Sequence, residues 1–250
     1  MKALKILMTA GLAGAVIAAS AGCANYNMAG TDKPEIATTV NESVEAPATE
    51  APATQHDVKV EDLSQTTYTD DYNNTYTSVY PKLIVDGKEA TEINEALANY
   101  ILKTYPMQIK TDYGYTEGYK TGYKWGVRGN VVSIVIHISS LDSDYYTNEV
   151  YNYDLDTLKA IDDSEVVKRF GMTDDDFFAK TKEILKKESE GRDLDLEKTL
   201  AAVNYDNITP AVTPDGNIGV AAGIYYAPDS QFGGMVSVSC YDLNTAERFA

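Results

Sequence analysis

Along this chain, apolar residues recur mostly at every second position and at helical spacing in only a few stretches. Residues 131–138 carry Val132, Ile134, Ile136 and Ile138 on one face and Val131, Ser133, Val135 and His137 on the other. That is the pattern of a strand with a core side. Residues 91–105 instead place Ile93, Leu97, Tyr100, Ile101 and Tyr105 on one helical face, with Pro106 as the stop. Another strand is predicted over 66–80, with Tyr68, Tyr72, Tyr76 and Tyr80 on one face. Pro81 then confines it to a sheet edge or a change of course. Asp86-Gly87 reads as a turn, 145–155 as a further strand, and Asp156-Thr157 as the turn after it.

Asp163-Ser164 can cap a short helix ended by Gly171. Thr173 opens a longer helix with Asp174, Asp175 and Asp176 at its positive end and Lys180, Lys182, Lys186 and Lys187 further along. A third helix is predicted over 194–203, and Pro214-Asp215-Gly216-Asn217 reads as a hairpin turn between strands at 208–212 and 218–226. Residues 233–243 supply a last strand. Strands in hairpins with helices grouped between them predict an α+β fold. The expectation is an antiparallel sheet of about six strands with two to four helices packed on it.

The most regular stretch is 109–127, read as one long strand that Arg128-Gly129-Asn130 turns into the next. A Gly-Tyr pair recurs in it every four residues, so Tyr113, Tyr115, Tyr119, Tyr123 and Trp125 share one face and Gly114, Gly118, Gly122 and Gly126 the other. Four glycines also oppose a helix. Two readings of the aromatic face stay open. It could stack sugar rings or bind protein, with Tyr115, Tyr119, Tyr123 and Trp125 as candidate ligand-binding residues. It could equally pack under a helix as ordinary core, since so many exposed rings would make a large patch. The bare glycine face would let another backbone or ring approach closely, or it reflects twist and an edge.

The chain opens with Lys2 and Lys5, an apolar run from Ile6 to Ala19, and then small residues, which is the form of a secretory signal too short to span a membrane. Ser20-Ala21-Gly22-Cys23 is similar to the end of a bacterial lipoprotein signal, in which the cysteine is lipidated, although a Leu is usual where Ser20 stands. Cleavage after Ala21 at Ala19-Ser20-Ala21 is the alternative. Residues 1–22 are thus expected to be a signal peptide, with Cys23 as the lipidation site and a lipid anchor on the outer side of the cytoplasmic membrane. With Cys23 lipidated, Cys240 is expected to be a small buried residue on a late strand; without it, a Cys23–Cys240 bridge is open.

Residues 23–62 show no periodicity, and Glu45-Ala46-Pro47-Ala48-Thr49 repeats as Glu50-Ala51-Pro52-Ala53-Thr54. This composition predicts a disordered tether with a reach of roughly 35 Å, leaving 63–250 as the ordered domain.

The formal charge is −17, and cleavage before Cys23 removes two lysines and no acids, leaving 19 bases against 38 acids, or −19. Such a balance argues against nucleic acid as a partner and suits a cationic one. No Cys/His pair stands at zinc-ligand spacing, the acidic clusters lack the form of a calcium loop, and no nucleotide fingerprint or G-x-S-x-G occurs. No metal or cofactor is therefore expected. His137 is the lone histidine of the expected domain, without visible partners, and His56 falls in the expected tether.

Tyr80-Pro81 followed by Ile93-Asn94, then Tyr151-Asn152-Tyr153-Asp154-Leu155, then Tyr225-Tyr226-Ala227-Pro228 with Gly233-Gly234 and Val236-Ser237-Val238, resemble in that order the extracytoplasmic domain pair of RsiV-type anti-sigma factors. The N-terminal part of PdaC-type deacetylases is similar. A Gly-Gly-Ala-His-like stretch common in that family is replaced by 144–149. The resemblance implies an outer domain that senses lysozyme. Neither sigma-factor control nor deacetylation carries over to the segments quoted. The expectation is a non-catalytic envelope lipoprotein whose domain binds lysozyme or another cationic protein. The alternative is a glycan-binding or glycan-modifying cell-wall enzyme working through paired carboxylates.

Overall fold

A computed structural model describes residues 55–69, 73, 75–107, 109–110, 116–141 and 145–250. The fold opens with a long hairpin, β1 (Val58–Thr69) against β2 (Thr75–Val85), and β3 (Lys88–Glu89) on the far side of β2. Asp86 and Gly87 both take positive φ (51° and 74°), the two-residue turn that an Asp-Gly pair favours. Pro81 has no amide hydrogen to give the ladder, and opposite it, between Asp62 and Ser64, the register of β1 slips. β1 begins inside 23–62, so the ordered chain starts earlier than the tether boundary expected from composition.

Helix α1 (Thr91–Thr104) buries Ile93, Leu97 and Ile101, as its spacing predicts. Asn94 fixes it to β2: its side chain accepts from the Leu83 amide at 2.7 Å and donates to the Leu83 carbonyl at 3.0 Å. The backbone N–H and C=O of the buried Leu83 are thereby both bonded.

Two expected single strands are corrected: 66–80 is divided between β1 and β2, which pair Tyr68 with Tyr76, and the long Gly-Tyr strand is broken as well. The chain instead makes β4 (Ile109–Lys110) and β5 (Thr116–Glu117), which pair with each other, and only then β6 (Tyr119–Arg128). Ile109 opposite Glu117 means that the chain has doubled back, so the repeat is a hairpin followed by a strand. Tyr113 and Tyr115 lie outside the described residues.

β6 leads through β7 (Val131–Ser140) and β8 (Tyr146–Asp154) to β9 (Lys159–Ala160) in one four-stranded antiparallel sheet. Helices α2 (Asp163–Arg169), α3 (Asp174–Glu188) and α4 (Leu196–Ala201) follow, and Thr173 caps α3 as expected, accepting from the Asp176 amide. The chain ends in a second antiparallel sheet, β10 (Ile208–Val212), β11 (Ile218–Tyr225) and β12 (Val236–Asp242).

The class is α+β, but the expected single sheet of about six strands is three sheets of three or four strands and a short β4–β5 ladder. The reason lies in β7, which is buried on both faces and has a cover on each. Val132, Ile134, Ile136 and Ile138, with Tyr151 and Tyr153 of β8, pack against α1 and against Tyr80, Leu83 and Val85 of β2. Val135 and Val150 meet Ala211, Ala221, Val238 and Cys240 of the second sheet. That sheet's outer face takes Phe177, Ile184 and Leu185 of α3. Cys240 is fully buried and unbridged, and burial pushes its thiol well above the ordinary value.

Candidate functional site

Of the candidate residues, Cys23 and Tyr115 lie outside the described residues. Tyr119, Tyr123 and Trp125 share one face of β6, as alternation predicts, and each is half-buried against the cluster that α1 covers. The Tyr119 ring meets Tyr105 edge-on, 5.5 Å between centroids. The Tyr123 hydroxyl donates to Asp62 at 2.9 Å, and burial, then that carboxylate, pushes its phenol up to about 12. These three rings form a wall of the first core.

Deeper on the same side, Glu149 gathers three phenols. Tyr100 and Tyr105 donate to its Oε1 at 3.3 and 2.5 Å, and Tyr151 to its Oε2 at 2.6 Å. Burial first, and the Glu149 charge second, raise all three phenols well above the ordinary value. Phenols held so far from ionisation serve as donors, and this cluster reads as a charge-assisted brace between α1 and β8.

The opposite face of β7 and β8 behaves differently at its two ends. At the inner end, Ser133 donates to Asn152 Oδ1 at 2.5 Å and accepts from the Val212 amide at 2.7 Å, while Asn152 Nδ2 donates to the Pro210 carbonyl at 2.9 Å. All of this is buried, and it staples the first sheet to β10. Gly126, paired with Ser133, completes the closure: a Cβ there would stand 2.0 Å from the Thr213 carbonyl oxygen. The expectation that a glycine admits a second backbone holds at this position.

At the outer end Asn148 repeats the device, donating through Nδ2 to the Val238 carbonyl of β12 at 2.7 Å. Its Oδ1 faces His137 Nδ1 at 3.0 Å, and His137 Nε2 faces Ser139 Oγ at 3.0 Å. Here the interface opens. Gly122, paired with His137, has nothing near its missing Cβ, and both His137 and Ser139 are half-buried.

Beside them lies a groove of about 190 Å³ lined by Tyr145, Tyr146, Tyr226, Phe232, Met235, Val236 and Ser237. Tyr146 stands opposite Ser139 on the neighbouring strand, and its ring lies 6.3 Å from that of His137. Its hydroxyl is 3.3 Å from Ser239 Oγ and accepts from Arg248 at 3.4 Å. Burial pushes this phenol up, but the Ser239 and Ser237 hydroxyls and the Arg248 charge outweigh it and hold the group below its ordinary value. Arg248 is itself anchored by Glu188 and covers the Tyr241 ring at 5.5 Å.

Sequence reasoning singled out His137 but saw neither its partners nor this groove. Hairpin register would have found Asn148, since 137 and 148 stand opposite once the turn is placed. Nothing local joins Tyr145 and Tyr146 to Tyr226, Phe232 and Met235, which only the packing of β8 beside β12 brings together.

Among the described residues, no three His, Cys, Asp or Glu side chains converge as metal ligands, and no helix is long and apolar enough to cross a membrane. Compared with family models, curated proteins and solved structures, the chain shows no match.

Proposed function

We propose that the protein is a lipid-anchored envelope protein, Cys23 carrying the lipid, whose ordered domain binds cell-wall glycan in the groove between β8 and β12. The observation that carries the reading is the lining of that groove. Three aromatic rings and Tyr146 line a volume of about 190 Å³ together with the Ser237 side chain, and Arg248 bonds the Tyr146 hydroxyl. Aromatic faces pack against the C–H faces of sugars, and the polar tips bond their hydroxyls. The volume is below the 300–1,000 Å³ of sites that engulf a drug-sized ligand, so it suits one ring of a longer chain. Met235, 40% exposed at the lip, gives the adaptable edge such a site needs. Signal, lipidation cysteine and tether would put the domain beside the wall. Tyr119, Tyr123 and Trp125, half-buried against the core, take second place as binding residues.

The test is calorimetric titration of soluble cell-wall glycan fragments into the protein, with Tyr146→Ala and Phe232→Ala as variants. Loss of one stacking ring is expected to weaken binding about tenfold. Equal affinity of both variants and the wild type would remove the groove from the reading.

A cationic protein such as lysozyme is the second reading, favoured by the charge of −17 and by the RsiV-type resemblance. Titrating lysozyme at about 0.15 M and then about 0.5 M salt separates the cases: a specific interface survives the higher salt, and charge attraction alone does not.

A further inference from the structure

The outer end of the sheet interface has an arrangement that a structural role does not require. Asn148 Nδ2 is committed to the buried Val238 carbonyl at 2.7 Å, which settles its amide orientation: the reverse would set two oxygens against each other. Asn148 Oδ1 therefore faces His137 Nδ1, which must carry the hydrogen of that 3.0 Å contact. In the neutral imidazole, Nε2 is then the lone pair, and it points at Ser139 Oγ, 3.0 Å away. The chain of dependence runs from a backbone carbonyl to a single tautomer, and from that tautomer to a serine hydroxyl whose hydrogen lies on a base. Base within hydrogen-bond reach of the hydroxyl, and a third group orienting the base, are the geometric requirements for an activated nucleophile. At the inner end the register position of His137 is taken by a serine, Ser133, which is spent on Asn152 and the Val212 amide and is fully buried, whereas Ser139 is half-buried beside a wall of the groove.

We propose that Ser139, His137 and Asn148 form a nucleophile, base and orienter, and that Ser139 accepts the acyl group of a carboxylic ester presented from the Tyr146 groove. Ser139 Oγ bonds to the acyl carbon as its proton passes to His137 Nε2. The carbon–oxygen bond of the ester breaks, and the leaving alcohol takes that proton. Water then repeats the sequence on the acyl-serine, releasing the acid and restoring the serine. The choice of an O-acylated sugar as the ester rests on the glycan reading of the groove; the serine chemistry does not. Tyr146, in ring contact with His137, is the wall against which the leaving alcohol would sit.

The test exposes the protein to a fluorophosphonate that reacts with activated serines, and locates the adduct by mass spectrometry. One adduct is expected, at Ser139. It is absent in Ser139→Ala, and its rate of formation falls at least about 100-fold in His137→Gln, the loss expected when a general base goes. Asn148→Asp, which keeps an acceptor on His137 Nδ1, retains more of the rate than Asn148→Leu, a difference that loss of the Val238 contact alone does not produce. An unlabelled Ser139 in folded wild-type protein, under conditions that label a control serine hydrolase, overturns the proposal whatever the glycan titration shows. Labelling of Ser139 with no glycan affinity leaves the serine site standing and removes the sugar ester.

Discussion

The two ends of the interface between the sheets share a plan and are closed differently. Each has an asparagine of β8 donating to a carbonyl of the second sheet and a glycine of β6, both in register with one residue of β7, which is Ser133 at the inner end and His137 at the outer. At the inner end, Asn152, Ser133 and Gly126 are closed against β10, every polar atom is used, and the glycine leaves no room. At the outer end, His137 stands between asparagine and serine, Gly122 faces open space, and an aromatic groove begins. Satisfied buried polar groups specify how two sheets dock. At the outer end Asn148 is buried as well, but His137 and Ser139 are half-exposed.

Substitutions at paired positions should separate the two ends, and the largest effect is expected at Gly126. Gly126→Ala drives a Cβ into the Thr213 backbone, and denaturant unfolding should show a loss of at least about 3 kcal/mol, because no side-chain rotation relieves a contact with a carbonyl. Asn152→Ala strands the Pro210 carbonyl and part of Ser133, and should cost about 3 kcal/mol in the same measurement.

Next in size is a pH effect at His56. His56 joins the first described residues to the turns around β3 and β9, meeting Asp86 at 2.8 Å and Asp156 at 2.9 Å. Hydrogen bonds to Asp156 and Asp86 raise the imidazole above 6.5, and the bond to His56 lowers both carboxyls below 3.8. The histidine's contribution is complete below 6.5 and is lost as pH rises through the raised value. That of the carboxylates is present above 3.8 and is lost as pH falls through the lowered ones. Proteolytic cleavage around Asp57 should therefore be slowest between about pH 4 and 6.5 and should quicken above that window. His56→Gln should flatten the profile. At the small end, Gly122→Ala should stabilise by about 0.5 kcal/mol, since it fills open space and stiffens the unfolded chain. The opposite sign to Gly126→Ala is the sharpest form of the comparison.

Much of this architecture was legible locally. Ile93, Leu97 and Ile101 marked α1, Thr173 with three aspartates marked α3, and Pro214-Asp215-Gly216-Asn217 marked the turn between β10 and β11. What was not legible depends on pairing at a distance. Residues 109–127 alternate as well in one strand as in a hairpin and a strand, because glycines on one face supply no burial to penalise a fold-back. The division into separate sheets follows from which edges meet, and alternation within one strand is silent about that. For the site, tyrosine periodicity drew attention to Tyr119, Tyr123 and Trp125, whose regularity reflects a core wall. The groove residues Tyr145, Tyr146, Tyr226 and Phe232 come from two segments without any shared pattern.

The most direct test of the contrast is an amide chemical-shift map of the protein titrated with soluble glycan fragments. The account predicts shifts confined to the outer end, at residues such as Ser139, Tyr146, Tyr226 and Ser237, with Gly126, Ser133 and Asn152 unmoved. Shifts centred on Tyr119, Tyr123 and Trp125 instead, with the outer end silent, would contradict it.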